Sequence, residues 1–406
     1  MREHDASGSR GPRGRARLLG PPMRRAAPLF LALALCSPAS GKDNPGVTGA
    51  AVLQVPLGAR AMGMGGAFTA VGTDASALYY NPAGMSRLNA QEVGFASLLG
   101  GVGGNTMEHV FYAGPTPFTG ISGNGYTSVG ASMLFSQNGT IEYNPLNADG
   151  TAQGPTQNMN AGSDFVATVG YSERVGNTPI EYRESSYGVN HFMGVSGKIV
   201  RSTLAGGYSA QAVAADAGYL VHSPDSGLAA GLSLLNMGTQ MKFVSAGDPL
   251  PLTARLGVAY QFGVPSMHSV IAAADGEYLV HERQAFADLG IEYFWLKTYG
   301  LRMGYQFLRD SLGLTVGVGL RWRGRVMFDF SWGLSNTLSD ATRISISYRF
   351  GGVTPTVRSR QRRPFMETAP EREPARTVPE TSPTLDTLPS SAPSRERSGG
   401  IPGWIY

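Results

Sequence analysis

The C-terminal half of the chain alternates with a period of two. Ile344, Ile346, Tyr348 and Phe350 stand between Arg343, Ser345, Ser347 and Arg349. Val326, Phe328, Phe330, Trp332 and Leu334 alternate with Met327, Asp329, Ser331 and Gly333. In the same way Leu314, Val316, Val318, Leu320 and Trp322 are set against Thr315, Gly317, Gly319 and Arg321. Leu301, Met303, Tyr305 and Phe307 oppose Arg302, Gly304 and Gln306, and Leu289, Ile291, Tyr293 and Trp295 oppose Asp288, Gly290 and Glu292. Successive side chains of a strand point to opposite faces, so these five neighbouring segments predict five strands, each with one large-apolar face and one polar or glycine face. Weaker segments with the same habit lie near 91–99, 107–116, 124–137, 162–175, 188–201, 207–222, 227–237, 252–263 and 267–280.

Such a series suits either a soluble sandwich, with its apolar faces inward, or a membrane barrel, with its apolar faces toward lipid and its polar faces lining a lumen. Three features favour the barrel. Trp295, Trp322, Trp332, Tyr348 and Phe350 cluster toward segment ends, as interfacial girdles do. The series ends on an aromatic residue, Phe350. The chain also begins with a leader. Arg24 and Arg25 precede the apolar run "AAPLFLALALC", and small residues follow at Ser37, Ala39, Ser40 and Gly41. That run is too short to span a bilayer and has the form of a secretory signal peptide cleaved near residues 39–42. Met23 offers a second start site. The expected fold is all-β, an antiparallel transmembrane barrel of about fourteen strands over 91–350. A leader occupies 1–41, a plug segment 42–90 and a disordered tail 351–406, and both termini are expected in the periplasm of a bacterial cell. Residues 138–161 form the longest loop and have the composition of an extracellular one.

Composition sharpens this picture. The 406 residues include 55 glycines and only 15% charged residues, a sparse charge content for a soluble globule. Seven leader arginines against Glu3 and Asp5 account for more than the whole formal charge of +4, so the basic balance gives no case for nucleic-acid binding. Cys36, the single cysteine, falls in the leader, which excludes disulfide and thiol chemistry from the processed chain. The six histidines are scattered without metal-ligand spacing, and no catalytic or cofactor-binding motif is present. Asp164, Glu277, Asp288 and Glu292 are read as lumen charges, with Arg302, Arg321, Asp329, Arg343 and Arg349 as further lumen-facing candidates. An enzyme, a cofactor and a metal are not expected. The tail holds nine prolines and the cluster Arg358, Arg360, Arg362 and Arg363, and it cannot build a core.

A barrel of fourteen strands is too wide for its wall side chains to fill. The stretch "LGARAMGMGGAFTAVGTDASALYYNPAG", 57–84, is both glycine-rich and apolar, and it precedes the first strand. Gly58, Gly63, Gly65, Gly66 and Gly72 permit tight turns, while Leu57, Met62, Met64, Phe68, Leu78, Tyr79 and Tyr80 supply packing surface. Asp74 is expected to cap a short helix over 75–80, which Asn81-Pro82 would end. The segment is expected to occlude the lumen through many small contacts rather than a strong salt bridge, with Arg60, Ala83 and Gly84 completing the candidate plug residues.

The N-terminal stretch "VTGAAVLQVPLGARAMGMGGAFTAVGTDASALYYNPAGMSRL" resembles the signature of the PorV/PorQ family of outer-membrane proteins, which is related to the FadL fatty-acid transporters. A second stretch, "LAAGLSLLNMGTQMKFVSAGDPLPLTARLGVAYQF" (228–262), is similar to that family's mid-barrel N-x-G … P-L-P … R-x-G segment. The resemblance covers about 47–350, and the tail departs from it. It implies a part in protein export or surface attachment of the type IX kind, with secretion-system proteins or exported cargo as partners. It also implies, as an alternative, a FadL-like channel for hydrophobic small molecules. In that case Asn81, Pro82 and Ala83 would form the element that touches the wall. A barrel without flux is a third possibility, and outer-membrane lipid is a partner under each.

Overall fold

The computed structural model describes residues 46–352, apart from 101–103, 125, 183–184, 265–266, 310–312 and 335–340. The leader, most of the tail and the Met23 start lie outside these residues.

Fourteen antiparallel strands form a closed barrel in chain order. They are β1 (Ala90–Leu99), β2 (Thr106–Thr116), β3 (Thr127–Gln137), β4 (Gly162–Tyr182), β5 (Ser185–Leu204), β6 (Ser209–Ser223) and β7 (Leu228–Gly238). Next come β8 (Thr253–Val264), β9 (His268–Leu279), β10 (Gln284–Trp295), β11 (Tyr299–Phe307), β12 (Leu314–Trp322), β13 (Val326–Gly333) and β14 (Ala341–Gly352). Pairing of β14 with β1, from Gln91↔Phe350 to Leu99↔Thr342, closes the ring. Closure leaves no unpaired edge within the ring, which a bilayer demands of strands. The 138–161 connection is not simply a loop. It carries a small hairpin that pairs Thr140–Tyr143 with Gln157–Asn160.

The large apolar members of the alternating pairs point outward and are exposed, among them Leu301, Met303, Val318, Phe328, Phe330, Ile344 and Ile346. Trp295, Trp322, Trp332, Tyr348 and Phe350 share that face. An exposed apolar band of this extent on a closed barrel is a lipid-facing surface. Asp288, Glu292, Arg302, Asp329 and Arg343 point inward and are buried, as are Asp164 and Glu277. Arg321 and Arg349 also face in and stay half-buried.

This outward assignment has a measurable consequence. Replacing Phe328 by arginine is expected to cost about 2–4 kcal/mol if the site lies near the bilayer midplane. Urea titration in lipid vesicles measures this, and an unchanged unfolding midpoint would remove Phe328 from the lipid face. Gly317 is not a mild comparison site. Its missing side chain faces the lumen, where a Cβ would stand 3.1 Å from the Gly63 backbone.

Candidate functional site

The lumen is filled by residues 46–88. The segment folds as a 3-10 turn (Ala51–Gln54), helix α1 (Ala59–Gly63), helix α2 (Ala77–Tyr80) and a second 3-10 turn (Pro82–Arg87). Each piece is one or two turns long, so none is stable alone, and the wall must hold it. Gly65 and Gly66 take φ of 69° and 88°, turning the chain sharply behind α1. Asn81 is extended, with φ −158° and ψ 103°, as a residue before proline should be. Its side-chain oxygen accepts from Ala83 N, and Nδ2 donates to Thr69 O at 3.0 Å and to Tyr219 O of β6 at 3.2 Å. Asn81 thereby ties the plug to itself and to the wall.

The wall carries glycines where the plug comes closest. A Cβ at Gly304 or Gly290 would run into the backbone of Met64 and Gly65. One at Gly194 would meet Pro82 and Ala83, and one at Gly218 the Asn81 side chain. Around these contacts the plug buries Met64, Phe68, Val71 and Tyr80 against Ala229, Ala259 and Ala273, and Leu78 and Met85 against Ala96, Phe111 and Ala113. Phe68 and Tyr80 make a tilted ring contact, 5.4 Å between centres.

Charge, however, is central, contrary to the expectation of small contacts alone. Arg60 of α1 makes a bidentate pair with Glu292 of β10, at 2.8 Å from Nε and 2.6 Å from the terminal nitrogen, and it reaches Asp74 within the plug at 2.7 Å. Glu292 is also held by Arg302 at 2.7 Å, and Arg302 holds Asp329 at 2.7 Å. The chain Asp74–Arg60–Glu292–Arg302–Asp329 thus runs from plug to wall. A desolvated fork–fork pair is among the strongest polar contacts available. Asp74 does not cap a helix. Its carboxylate accepts from Ser76 N and the Ser76 hydroxyl, ordering the turn before α2, whose N-cap Ser76 makes no side-chain cap. Burial opposes ionisation of Asp74, but Arg60 and the Ser76 hydroxyl outweigh it and hold the carboxyl below its ordinary range. A carboxyl that titrates lower when folded stabilises at neutral pH, and that contribution is lost as pH falls through the folded value.

A second cluster joins the plug to β8–β11. Arg255 contacts Asp275 at 3.4 Å and Glu277 at 3.1 Å, and donates to Gly66 O at 2.9 Å. Asp275 in turn accepts from Phe68 N and Thr69 N at 2.9 and 2.8 Å. Arg309 pairs with Glu277 at 2.6 Å. Sequence alone does not single out Arg255, Asp275 or Arg309. The only signal for them was the R-x-G of the mid-barrel stretch, in which Arg255 is the arginine. Further anchors come from Arg343 to Pro56 O at 3.1 Å, Arg349 to Thr73 O at 2.9 Å and to Glu92 at 2.7 Å, and Tyr80 to Leu57 O at 2.8 Å. Arg87 donates to Val71 O at 2.7 Å, and burial together with Arg60 pushes its guanidinium down to about 10.

At the loop end the lumen changes character. Leu98, Met107, Leu134, Val166, Val200, Ala210, Ala212, Ala214 and Ala341 point inward from seven strands and bury against Ala50, Val52, Leu53 and Leu57. The tip of the N-terminal segment is tied down there by Gln54 to Glu282 at 2.7 Å and by Gly49 N to Pro249 O at 2.9 Å. The Tyr79 hydroxyl donates to Leu53 O and Val55 O from below. Beside this apolar layer the β6–β7 ladder breaks register between Ala215 and Ala217. Asn236 takes φ 63° at the break, and its N–H donates to Asp216 at 2.8 Å. Lys198, Asp216 and Asn236 form a buried triad there, with Lys198 3.0 Å from Asp216 and 2.8 Å from Asn236. Asn236 also reaches Pro251 O at 3.1 Å, so the N-x-G and P-L-P motifs meet at this break.

Of the sequence-derived candidates, Arg60, Asp74, Glu292, Arg302 and Asp329 come together in one network. Gly63, Gly65, Gly66, Asn81, Pro82 and Ala83 sit at plug–wall contacts. Gly58 opens α1 as its N-cap, and Gly84 packs on Gly72 inside the plug. Phe68 is an apolar filler, and Tyr79 packs beside it while its hydroxyl holds the Leu53 and Val55 carbonyls.

No protein-family profile and no curated protein sequence matches the chain. Among solved structures it is similar to the Pseudomonas putida toluene transporter TodX, at 15% identity and TM-score 0.45, covering 76% of this chain and 98% of that one. It is also similar to the Ralstonia pickettii toluene transporter TbuX, at 13% identity and TM-score 0.48, covering 72% and 98%. A Pseudomonas aeruginosa FadL homologue matches at 12% identity and TM-score 0.40, covering 73% and 99%.

Proposed function

We propose that this protein is an outer-membrane channel for small apolar molecules, with its loop end at the cell surface and the opposite end, where β1 begins and β14 ends, facing the periplasm. The tip of the N-terminal segment, expected in the periplasm, is instead held at the loop end by Glu282 and Pro249. The observation that carries this reading is the apolar layer at the loop end of the lumen. A pore for polar solutes lines its interior with polar groups. Here the cluster beneath Ala50–Leu57 presents methyl and thioether groups between flanking polar residues such as Ser136 and Ser202, and that cluster favours an apolar guest and penalises a charged one. The path below is blocked by the ion-paired plug. The bulge beside Asp216 interrupts the adjoining ladder, and in this reading an apolar solute leaves sideways into the membrane there, past the Lys198–Asp216 pair rather than through the ion-paired plug. The solute class of the toluene transporters enters this reading as a probe, not as its basis. No feature of the described residues favours the export role.

The test is uptake of radiolabelled toluene into proteoliposomes. The parent is expected to accelerate entry over empty vesicles. Val200→Glu, which sets a carboxylate in the apolar layer, is expected to reduce the rate by about tenfold or more. Correct barrel formation is checked by heat-modifiable gel mobility. A parent no faster than empty vesicles would leave a barrel without flux. A folded variant as fast as the parent would remove the layer from the route.

A further inference from the structure

The lipid-facing wall of β10–β13 carries a hollow of about 520 Å³. Ile291, Tyr293, Leu301, Val318, Phe330 and Trp332 line it, and its floor is formed at Arg302 and Gly317. Gly63 of the plug meets Gly317 from the other side of the wall. From Ile291 to Trp295 the strand runs about 13 Å, within the roughly 15 Å of one leaflet. At the termini end of this wall, Trp295, Tyr299 and Trp322 form an exposed aromatic rim, with the Trp295 and Tyr299 rings in tilted contact at 5.7 Å.

Two adjacent turns close the wall at that end, the first carrying Lys297 and the second Arg323 and Arg325. In the β10–β11 turn Leu296 and Lys297 take φ of 52° and 55°, and in the β12–β13 turn Arg323 takes 49°. These are left-handed positions that tight hairpin turns normally give to Asn or Gly. Bulky residues hold them at a conformational cost, which points to a use for the side chain. Lys297 and Arg323 are exposed, Arg323 lies over the Trp322 ring at 5.0 Å, and the two turns are two strand spacings, or about 10 Å, apart.

We propose that this wall binds one anionic phospholipid, with an acyl chain in the hollow and its phosphate between Lys297 and Arg323. An apolar hollow on the lipid face, with an aromatic rim and then paired cations beyond it toward the termini end, all within one leaflet, matches an acyl chain ending at a phosphate. The proposal rests on the orientation given above, in which the termini end faces the periplasmic leaflet. Its test reads lipid and not solute passage, so the two readings fail separately.

Three of the four tryptophans, Trp295, Trp322 and Trp332, line the hollow or its rim, and the fourth, Trp404, lies outside the described residues. In a Trp404→Phe background their fluorescence reports occupancy. Phosphatidylcholine vesicles would be doped with brominated phosphatidylglycerol or with brominated phosphatidylcholine at equal mole fraction. The phosphatidylglycerol is expected to quench severalfold more strongly. Lys297→Asn with Arg323→Asn should erase that preference while folding at least as well, because asparagine suits the left-handed turn. Arg201→Asn, exposed on the opposite wall, should leave the preference intact. Equal quenching by the two lipids in the parent overturns the proposal, since the contact is then ordinary annular lipid. A preference that survives the double asparagine variant overturns it as well.

Discussion

Arg60→Met is expected to turn a closed protein into a conducting one. The substitution keeps most of the side-chain volume and removes the charge that joins Asp74 to Glu292. Glu292 keeps Arg302, but Asp74 is left in the lumen with Ser76 and the more distant Arg349. Stranding one partner of a buried pair costs about 3–5 kcal/mol. That cost falls on plug docking, because strand pairing around the ring does not pass through Arg60. Planar-bilayer recordings should show frequent openings in the variant and rare ones in the parent. Heat-modifiable mobility should be unchanged. Arg60→Lys should restore closure only in part, since an ammonium cannot reproduce the fork that grips both oxygens of Glu292. If Arg60→Met stays as quiet as the parent, the ion pair does not hold the plug.

Gly304→Val is expected to expel the plug outright. The added Cβ would collide with the backbone of Met64 and Gly65, and backbone cannot rotate away as a side-chain tip can. The penalty should exceed the about 1–3 kcal/mol of ordinary overpacking. Valine itself suits a strand, so the ring should still close. Limited proteolysis reads the outcome. Residues 57–84 should become cleavable in the variant, with sustained current in bilayers. Gly276→Val is the control, since the nearest atom to its Cβ would be 4.0 Å away. Cleavage at the same rate in both variants would refute the close-approach reading of Gly304.

The sequence showed the presence of these parts better than their partners. Arg60 was legible as a plug residue because it sits in the glycine-rich stretch, and Glu292 as a lumen residue because it falls on the polar side of an alternating strand. Nothing local says that they meet, 232 positions apart. Arg255 shows the same limit. It stands in a motif that announces no role for it, because its value lies in Asp275, Glu277 and the Gly66 carbonyl. Asp74 was misassigned for a related reason. An acidic residue before a helix resembles a cap until a cation from another turn claims its second oxygen. The Asn236 break could not be foreseen from an alternating pattern, since a bulge is defined by what the neighbouring strand does.

The sequence by itself determined the strands and their faces. Alternation between large apolar and polar residues is local information, because a strand's pleat repeats every two residues whatever it packs against. With the glycine-rich stretch ahead of the first strand, it was enough to specify fourteen strands, an apolar exterior and a segment available to fill the lumen. Only the tertiary structure decided how that segment is held. Closing the ring of β1 on β14 fixes the register of every strand, and the register sets which carboxylate faces Arg60 and which glycines admit the plug backbone. It also gathers the apolar inward residues of seven strands into one layer at the loop end and the charged ones of β8–β13 into another. Those groupings arise from contacts between distant residues, which have no periodicity in the chain to announce them.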